Sequence, residues 1–256
     1  MKPYIISASR REDIPASPVR MEWLLKVIEE GQFTYENQYG NTCTVDFEKT
    51  EFCVFWSKNP RYLLEYIGEI PYEFYLHYTL NDYPEYELNI PNLENRIETF
   101  QKISNLIGKE RVIWRHDPII VNQDIDVNEV LRRIYKLGNR LNQYTEKLVF
   151  SFISEYSKHN FKTPDQDTQH KVMKGLVEMN EEWNLDLRHC ASDIEFEGIQ
   201  KNKCIDDSLI QRIIGDRPWL KPTKDKGQRK ECQCIQSSDV GAYRRCKHNC
   251  LYCYAK

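Results

Sequence analysis

The chain has 256 residues, 40% of them apolar and 29% charged, and a net charge of −3. That length supports one large α/β core or two small ones, and the near-neutral balance argues against a whole-protein affinity for nucleic acid or an anionic membrane. No apolar run approaches the ~18 residues needed to cross a bilayer. The opening Met1-Lys-Pro-Tyr-Ile-Ile-Ser turns polar too early for a secretory signal, so a cytoplasmic location is expected.

Tyr4 to Ser9 reads as a buried strand running into Arg10-Arg11-Glu12-Asp13. Pro18 opens a helix through Met21, Leu24, Val27 and Ile28, closed by Gly31. Phe33 to Phe47 alternates around Gly40-Asn41 and predicts a hairpin. Phe52 to Trp56 is a second core strand, stopped by Ser57-Lys58-Asn59-Pro60 and followed by a short helix through Leu63, Leu64 and Ile67. Phe74 to Leu80 is a third strand. A polar, proline-containing loop then leads to a helix with Leu93, Ile97, Phe100, Ile103 and Ile107 on one face, ended by Gly108.

Arg111 to Trp114 is a fourth strand, running into Arg115-His116-Asp117-Pro118, with a helix through Val127, Val130, Leu131, Ile134 and Leu141 after it. Leu148 to Ile153 is the fifth strand. Thr163-Pro164 looks like a cap with proline at the first helical position, opening a helix to about Trp183. Leu185 to Leu187 is a short sixth strand leading to His189-Cys190, and a last helix carries Leu209, Ile210, Ile213 and Ile214.

Strict strand–helix alternation over six units argues for a parallel sheet with right-handed crossovers, either doubly wound or a partial (βα)6 TIM-like barrel. Five of the six strands end in polar clusters: Ser9-Arg10-Arg11, Ser57-Lys58-Asn59, Thr79-Asn81, Arg115-His116-Asp117 and His189-Cys190. A barrel would gather all of these at one mouth, which favours it. The expected division is a barrel over residues 1–216 and an irregular cysteine-rich tail over 217–256 packed on its mouth. From Arg217 to Lys247 nine Lys/Arg face three Asp/Glu, about +6 against about −9 for the rest. That stretch could recognise a polyanion or offset the charge of thiolates, and the second is preferred.

Nine cysteines without an export signal argue against a disulfide framework. Only Cys43 and Cys53 precede residue 190. The other seven divide into Cys246-Lys-His-Asn-Cys250-Leu-Tyr-Cys253 and a looser set of Cys190, Cys204, Cys232 and Cys234. Thiolates this close repel unless a metal takes up their charge. Three on a four-iron cluster would leave one iron open to a small molecule, and the four are expected to hold a second, closed cluster, with zinc as the alternative. The rivals for the triplet are zinc with His248 or another cysteine as fourth ligand, and unliganded thiols; Cys190 and Cys204 could also be ordinary buried residues.

Among the charged clusters, Arg10 and Arg11 suit a carboxylate or phosphate, or a surface pair with Asp13. Arg115 could anchor an anion or pair with Asp117, and Trp56 and Lys58 could flank adenine or an anionic group, though Trp56 suits a core equally. His77, His159 and His170 have no ligand spacing. Glycine-rich phosphate loops and a nucleophile elbow are missing from the sequence.

The C-x3-C-x2-C spacing with Tyr252 before its last cysteine resembles the signature of radical S-adenosylmethionine (radical SAM) enzymes. Further segments, Ile6-Ser-Ala-Ser-Arg-Arg-Glu-Asp-Ile-Pro15, Phe55-Trp-Ser-Lys-Asn-Pro60, Arg115-His-Asp-Pro118 and Gln228 to Ala255, resemble the bacterial domain-of-unknown-function family 1848. The resemblance implies a [4Fe-4S] cluster on Cys246, Cys250 and Cys253, with S-adenosylmethionine at its open iron. It also implies a reductase, flavodoxin or ferredoxin as electron donor, and a 5′-deoxyadenosyl radical that abstracts hydrogen from a substrate it does not name. Two departures stand out. The motif follows the sixth unit instead of the first strand, and Ser57-Lys58-Asn59-Pro60 replaces the usual glycine-glycine-glutamate stretch. Arg10, Arg11, Lys58 and Arg115 are the candidate contacts to anionic parts of cofactor or substrate. A reading of a different class is a non-catalytic, zinc-stabilised protein that contacts a polyanion through its basic tail.

Overall fold

A computed structural model describes residues 4–36, 40, 42–157, 159–190, 192–243 and 245–253. Its frame is an eight-stranded sheet in the order β10-β1-β4-β5-β6-β7-β8-β9, in which every pairing is parallel. The strands are β1 (Ile5–Ala8), β4 (Phe52–Ser57), β5 (Glu73–Thr79), β6 (Val112–Ile119), β7 (Lys147–Phe152), β8 (Asp186–His189), β9 (Gln200–Lys201) and β10 (Ser238–Val240). A separate antiparallel pair, β2 (Gln32–Glu36) and β3 (Thr42–Asp46), is the expected hairpin; its turn at Asn41 lies outside the described residues. No hydrogen-bonded pairing joins β9 to β10 among the described residues, so β9 and β10 are the two edges of the sheet.

Crossover helices follow the strands: α1 (Pro18–Glu29), α2 (Leu63–Tyr66), α3 (Leu93–Ile107), α4 (Val127–Leu141), α5 (Gln166–Trp183) and α6 (Asp207–Ile214). Four begin where a side chain satisfies an end amide. Asn92 accepts from Asn95 N at 2.9 Å, Asp126 from Glu129 N at 2.8 Å, Asp165 from Thr168 N at 2.8 Å and Asp206 from Ser208 N at 3.0 Å. The fifth crossover helix is thus capped by Asp165, two residues past the expected Thr163. An aspartate carboxylate in extended backbone is the better acceptor, and Pro164 offers its carbonyl to Gln169 instead, at 2.6 Å.

Alternate strand residues face opposite ways. Ile6, Phe55, Leu76, Trp114 and Phe150 join the main core under α1, α3, α4 and α5. Ile5, Phe52, Val54, Tyr75, Ile113 and Val149 form a second core against α6 and the segment carrying Cys204, Cys232, Cys234 and Ile235. The cysteine-rich tail is therefore part of the packed molecule, joining the second core through Cys232, Cys234 and Ile235. It also supplies β10, which lies beside β1 with Ile6 opposite Ser238 and Ala8 opposite Val240.

One close approach gives a direct test of the α4–α5 packing. A Cβ added at Gly138 would lie 2.2 Å from Cζ2 of Trp183, whose ring is buried and whose Nε1 donates to Asn139 Oδ1 at 2.8 Å. Alanine would gain about 1 kcal/mol of helix propensity but cost about 1–3 kcal/mol of overpacking. Gly138→Ala should lower the thermal midpoint; an unchanged or raised midpoint would show that the indole moves aside freely.

Candidate metal centre and active site

Because every sheet strand runs the same way, their carboxyl ends share one edge. Ser9 to Asp13 leave β1, Lys58 follows β4, Asn81 follows β5, Ser154 follows β7, Cys190 follows β8, and the Cys246–Cys253 loop follows β10. Gly241, at φ +117°, ends β10 where a side chain would crowd Glu12: its added Cβ would meet Glu12 Oε1 at 3.1 Å. Glu12 in turn accepts from Ala242 N at 2.9 Å and pairs with Arg20 at 2.6 Å, fixing the start of the loop.

The three-cysteine loop is docked mainly through its backbone. Glu87 and Cys250 form an antiparallel bridge, Leu251 N donates to Tyr86 O at 2.9 Å, and Asn89 N donates to His248 O at 3.0 Å. Asn249 takes a left-handed φ of +54°, and Cys253 N donates to Cys250 O at 3.2 Å, so the last two cysteines sit on one tight turn. On the other side His248 Nε2 lies 2.7 Å from Asp13 Oδ2, and Asp13 also accepts from Ser57 Oγ at 2.6 Å and Lys58 N at 2.7 Å. His248, weighed above as a fourth ligand, is engaged by Asp13. Burial pushes the Cys250 thiol up to about 12 although Lys58 works against it. Burial, with the charge of Asp13, pushes the Cys246 thiol up to about 11. Ionising these thiols without a bound cation is therefore costly.

Beneath the loop is a buried polar knot centred on Glu87. Its carboxylate receives Lys58 Nζ at 2.9 Å, Asn81 Nδ2 at 3.0 Å, Arg96 Nη1 at 3.3 Å and the Tyr252 hydroxyl. Burial opposes its ionisation, yet Lys58 and Arg96 hold the Glu87 carboxyl below the ordinary range. Lys58 Nζ also reaches the Tyr252 hydroxyl at 2.9 Å. The aromatic residue inside the cysteine motif is thereby bonded to the residues after β4 and β5.

The four remaining cysteines converge from three parts of the chain. Cys190 Sγ and Cys204 Sγ are 3.5 Å apart, and thiol contacts continue from Cys204 to Cys234 and from Cys234 to Cys232. Cys234 Sγ accepts from Cys204 N at 3.2 Å and Ile205 N at 3.4 Å; Cys204 Sγ accepts from Arg115 Nη1 and Asn202 Nδ2, each at 3.2 Å. The hydrogen bonds from Cys190 and Cys234 draw the Cys204 thiol well below its usual value and leave those two partners raised; a hydrogen bond with Cys234 lowers Cys232 to about 6. Among the described residues, no three His, Cys, Asp or Glu side chains already surround one point at the spacing of a bound ion.

Both sets open on one cavity of about 390 Å³. All seven late cysteines line it, and so do Arg10, Arg11, Lys58 and Arg115. The cations are positioned by other groups: Arg10 and Arg11 lie 3.6 Å and 3.8 Å from Asp239, Lys58 pairs with Glu87, and Arg115 pairs with Asp117. Arg10 stacks 5.1 Å over Trp56, which itself stacks on His77. A family model, domain of unknown function (DUF1848), matches residues 5–255. The chain belongs to the DUF1848 family. No curated protein matches it.

The match takes in both cysteine sets and all four cations of the DUF1848 cavity. Three features of this site escaped the sequence reading. Arg115, His116 and Asp117 lie within β6, not after it, because Arg115 is paired with Asp117 and Cys204, and Asp117 also accepts from Ser151. The partner of Arg10 and Arg11 is Asp239 from the tail, where a pair with Asp13 had been considered. Glu87 sits in a stretch that reads as a polar loop, yet it is buried among Lys58, Asn81, Arg96 and Tyr252. Arg229 and Tyr156 also line the cavity, joined by Arg229 Nη2 donating to Tyr156 Oη at 3.0 Å.

His116 sets a pH dependence for this DUF1848 fold. Burial lowers it to about 3, and its Nε2 lies 3.2 Å from the Tyr83 hydroxyl. Unfolded, it would titrate near ~6.5. Between those values the unfolded chain binds the extra proton, so this contribution is present above about pH 6.5 and is lost as pH falls toward 3. The urea midpoint should decline over that window, and His116→Gln should flatten the decline by about one proton. An identical slope in the variant would contradict this assignment.

Proposed function

We propose that the chain is a radical S-adenosylmethionine enzyme on a partial (βα)6 barrel, with Cys246, Cys250 and Cys253 holding a [4Fe-4S] cluster and Cys190, Cys204, Cys232 and Cys234 a second metal site. The observation that carries this reading is the convergence of three thiols from one short loop, four more thiols and four cations on a single cavity at the carboxyl edge of a parallel sheet. The donor set fits: three cysteines leave one iron of a four-iron cluster without a protein ligand, while the engagement of His248 by Asp13 gives no support to a fourth ligand from this loop. The place of the motif fits as well. In sequence it follows the sixth unit, but in space its strand β10 lies immediately before β1 in the sheet order.

The chemistry such a group supplies when bound is one-electron reductive cleavage of the cofactor's sulfonium. The chain's own residues do the rest. Glu87, Lys58 and Tyr252 fix the loop from below, and Asp13 and His248 fix it from the side. Arg10, Arg11, Lys58 and Arg115 offer guanidinium and ammonium groups to anionic parts of cofactor or substrate. A reductase, flavodoxin or ferredoxin would deliver the electron.

The test is anaerobic reconstitution, dithionite reduction and addition of S-adenosylmethionine, with 5′-deoxyadenosine read by mass spectrometry. The proposal expects a brown protein containing iron and sulfide that forms this product. A fully loaded protein that forms none would overturn the catalytic reading. A colourless, zinc-only protein that binds a polyanion through its 217–247 stretch would establish the non-catalytic reading.

A further inference from the structure

We infer that the outer face of the three-cysteine loop is the docking surface for the electron donor, and that this donor is a small acidic one-electron carrier protein. The inference rests on the iron–sulfur reading of the triplet and adds to it where the electron enters and what delivers it.

The loop has two sides. His248, Cys250 and Tyr252 are buried and line the cavity, while Lys247, Asn249 and Leu251 between them are exposed and do not line it. The antiparallel bridge between Glu87 and Cys250 extends the outer side, because its register sets Leu88 opposite Asn249 and Tyr86 opposite Leu251. Leu88 and Leu251 are 51% and 43% exposed. As diagonal neighbours across the bridge they form one apolar patch, not two scattered leucines. Tyr86 borders it and packs edge-on against Phe161 at 5.0 Å.

Charge identifies the partner. Lys247 lies at the patch, since Asn89 Nδ2 donates to its carbonyl at 3.1 Å. Arg245 precedes the loop, and Lys162 follows the Phe161 ring that packs on Tyr86. All three cations are exposed, and among the described residues none is within ion-pair distance of a carboxylate. The acids of the segment leading to Leu88 are already taken: Asp82 by Lys136 at 3.9 Å, Glu85 by Arg133 at 2.7 Å and Glu87 by Lys58 at 2.9 Å. An apolar centre with uncompensated cations at its rim complements an acidic protein, and such a field steers encounter. A carrier must also leave after each transfer. A small patch suits that, since transient redox encounters bury less than about 1,200 Å².

The triplet thus stands between this face and the cavity. An electron arriving beside Leu251 reaches the thiols of Cys250 and Cys253 without crossing the space where cofactor and substrate would lie. The transfer oxidises the carrier by one electron and reduces the bound iron by one, with no bond made or broken.

The experiment uses the full chain, anaerobically reconstituted with iron and sulfide. It follows bleaching of the iron–sulfur absorption on mixing with excess pre-reduced flavodoxin or plant-type ferredoxin, with dithionite as the small-molecule comparison. Reduction by the carrier should slow about tenfold or more at low salt in Leu88→Glu and in Lys247→Glu. The wild-type rate should fall with rising salt more steeply than the Lys247→Glu rate. Both variants should keep their iron and melting curve and be reduced by dithionite as the wild type is. Lys174→Glu makes the same charge change on α5 and should leave the carrier rate as it was. Should Leu88→Glu lose iron, Lys247→Glu decides. Equal carrier rates in wild type and Lys247→Glu, an equal loss in Lys174→Glu, or a cluster that dithionite reduces and neither carrier does would overturn the inference. So would a dimer that Leu88→Glu dissociates, which assigns the face to a second copy. A chain that takes up no iron sinks the reading of the triplet and this partner with it, whereas failure at this face alone leaves dithionite-driven 5′-deoxyadenosine formation intact.

Discussion

Cys250→Ala should reduce 5′-deoxyadenosine formation to the level seen without protein while leaving the fold in place. The loop around Cys250 is held by backbone groups: the bridge to Glu87, the Leu251 amide on Tyr86, and the Cys253 amide on the Cys250 carbonyl. Alanine preserves all of these and removes one thiol. With two cysteines left, the cluster loses a ligand and the chemistry goes with it. Cys43→Ala on the hairpin should be silent, because Cys43 does not line the cavity. The readouts are product by mass spectrometry, iron content and the circular dichroism melting curve. Collapse of the whole fold in Cys250→Ala would instead point to a structural ion in the triplet.

The second large effect is at Glu87. Its side chain is fully buried and is the counter-charge to Lys58 and Arg96, whose side chains are 18% and 5% exposed. Removing one member of a buried ion pair strands the others, and the usual cost is about 3–5 kcal/mol. Glu87→Ala should therefore lower the unfolding free energy from urea titration by an amount in that range and reduce the iron retained, since Tyr252 loses its anchor. Adding Lys58→Met should recover part of the loss, because one stranded cation goes with it. A midpoint unchanged in Glu87→Ala would show that water reaches the knot and solvates the stranded cations.

The alternation of strands and helices was legible because apolar period and glycine or proline punctuation agree along most of the chain. β10 was not: Ser238-Asp239-Val240 has one apolar residue, and it is extended only because β1 offers it a free edge. β6 was cut short for a related reason. Arg115-His116-Asp117 looks like loop by polarity, but each charge finds a partner within the fold. Cysteine arithmetic separated a set of three from a set of four, and the fold brings each set to one cavity. The arithmetic could not reveal that both share it, because that depends on parallel strands ending at one edge. Glu87 had no motif to betray it. Its chemistry comes from burial under a loop about 160 residues later in sequence, a long-range contact that no local pattern encodes.

The most direct measurement of the central claim is electron paramagnetic resonance on the dithionite-reduced chain, before and after S-adenosylmethionine. An open iron in the triplet predicts a reduced-cluster signal that changes on adding the cofactor and is lost in Cys250→Ala. A reduced-cluster signal identical with and without the cofactor, or no iron signal in a metal-loaded protein, would contradict it.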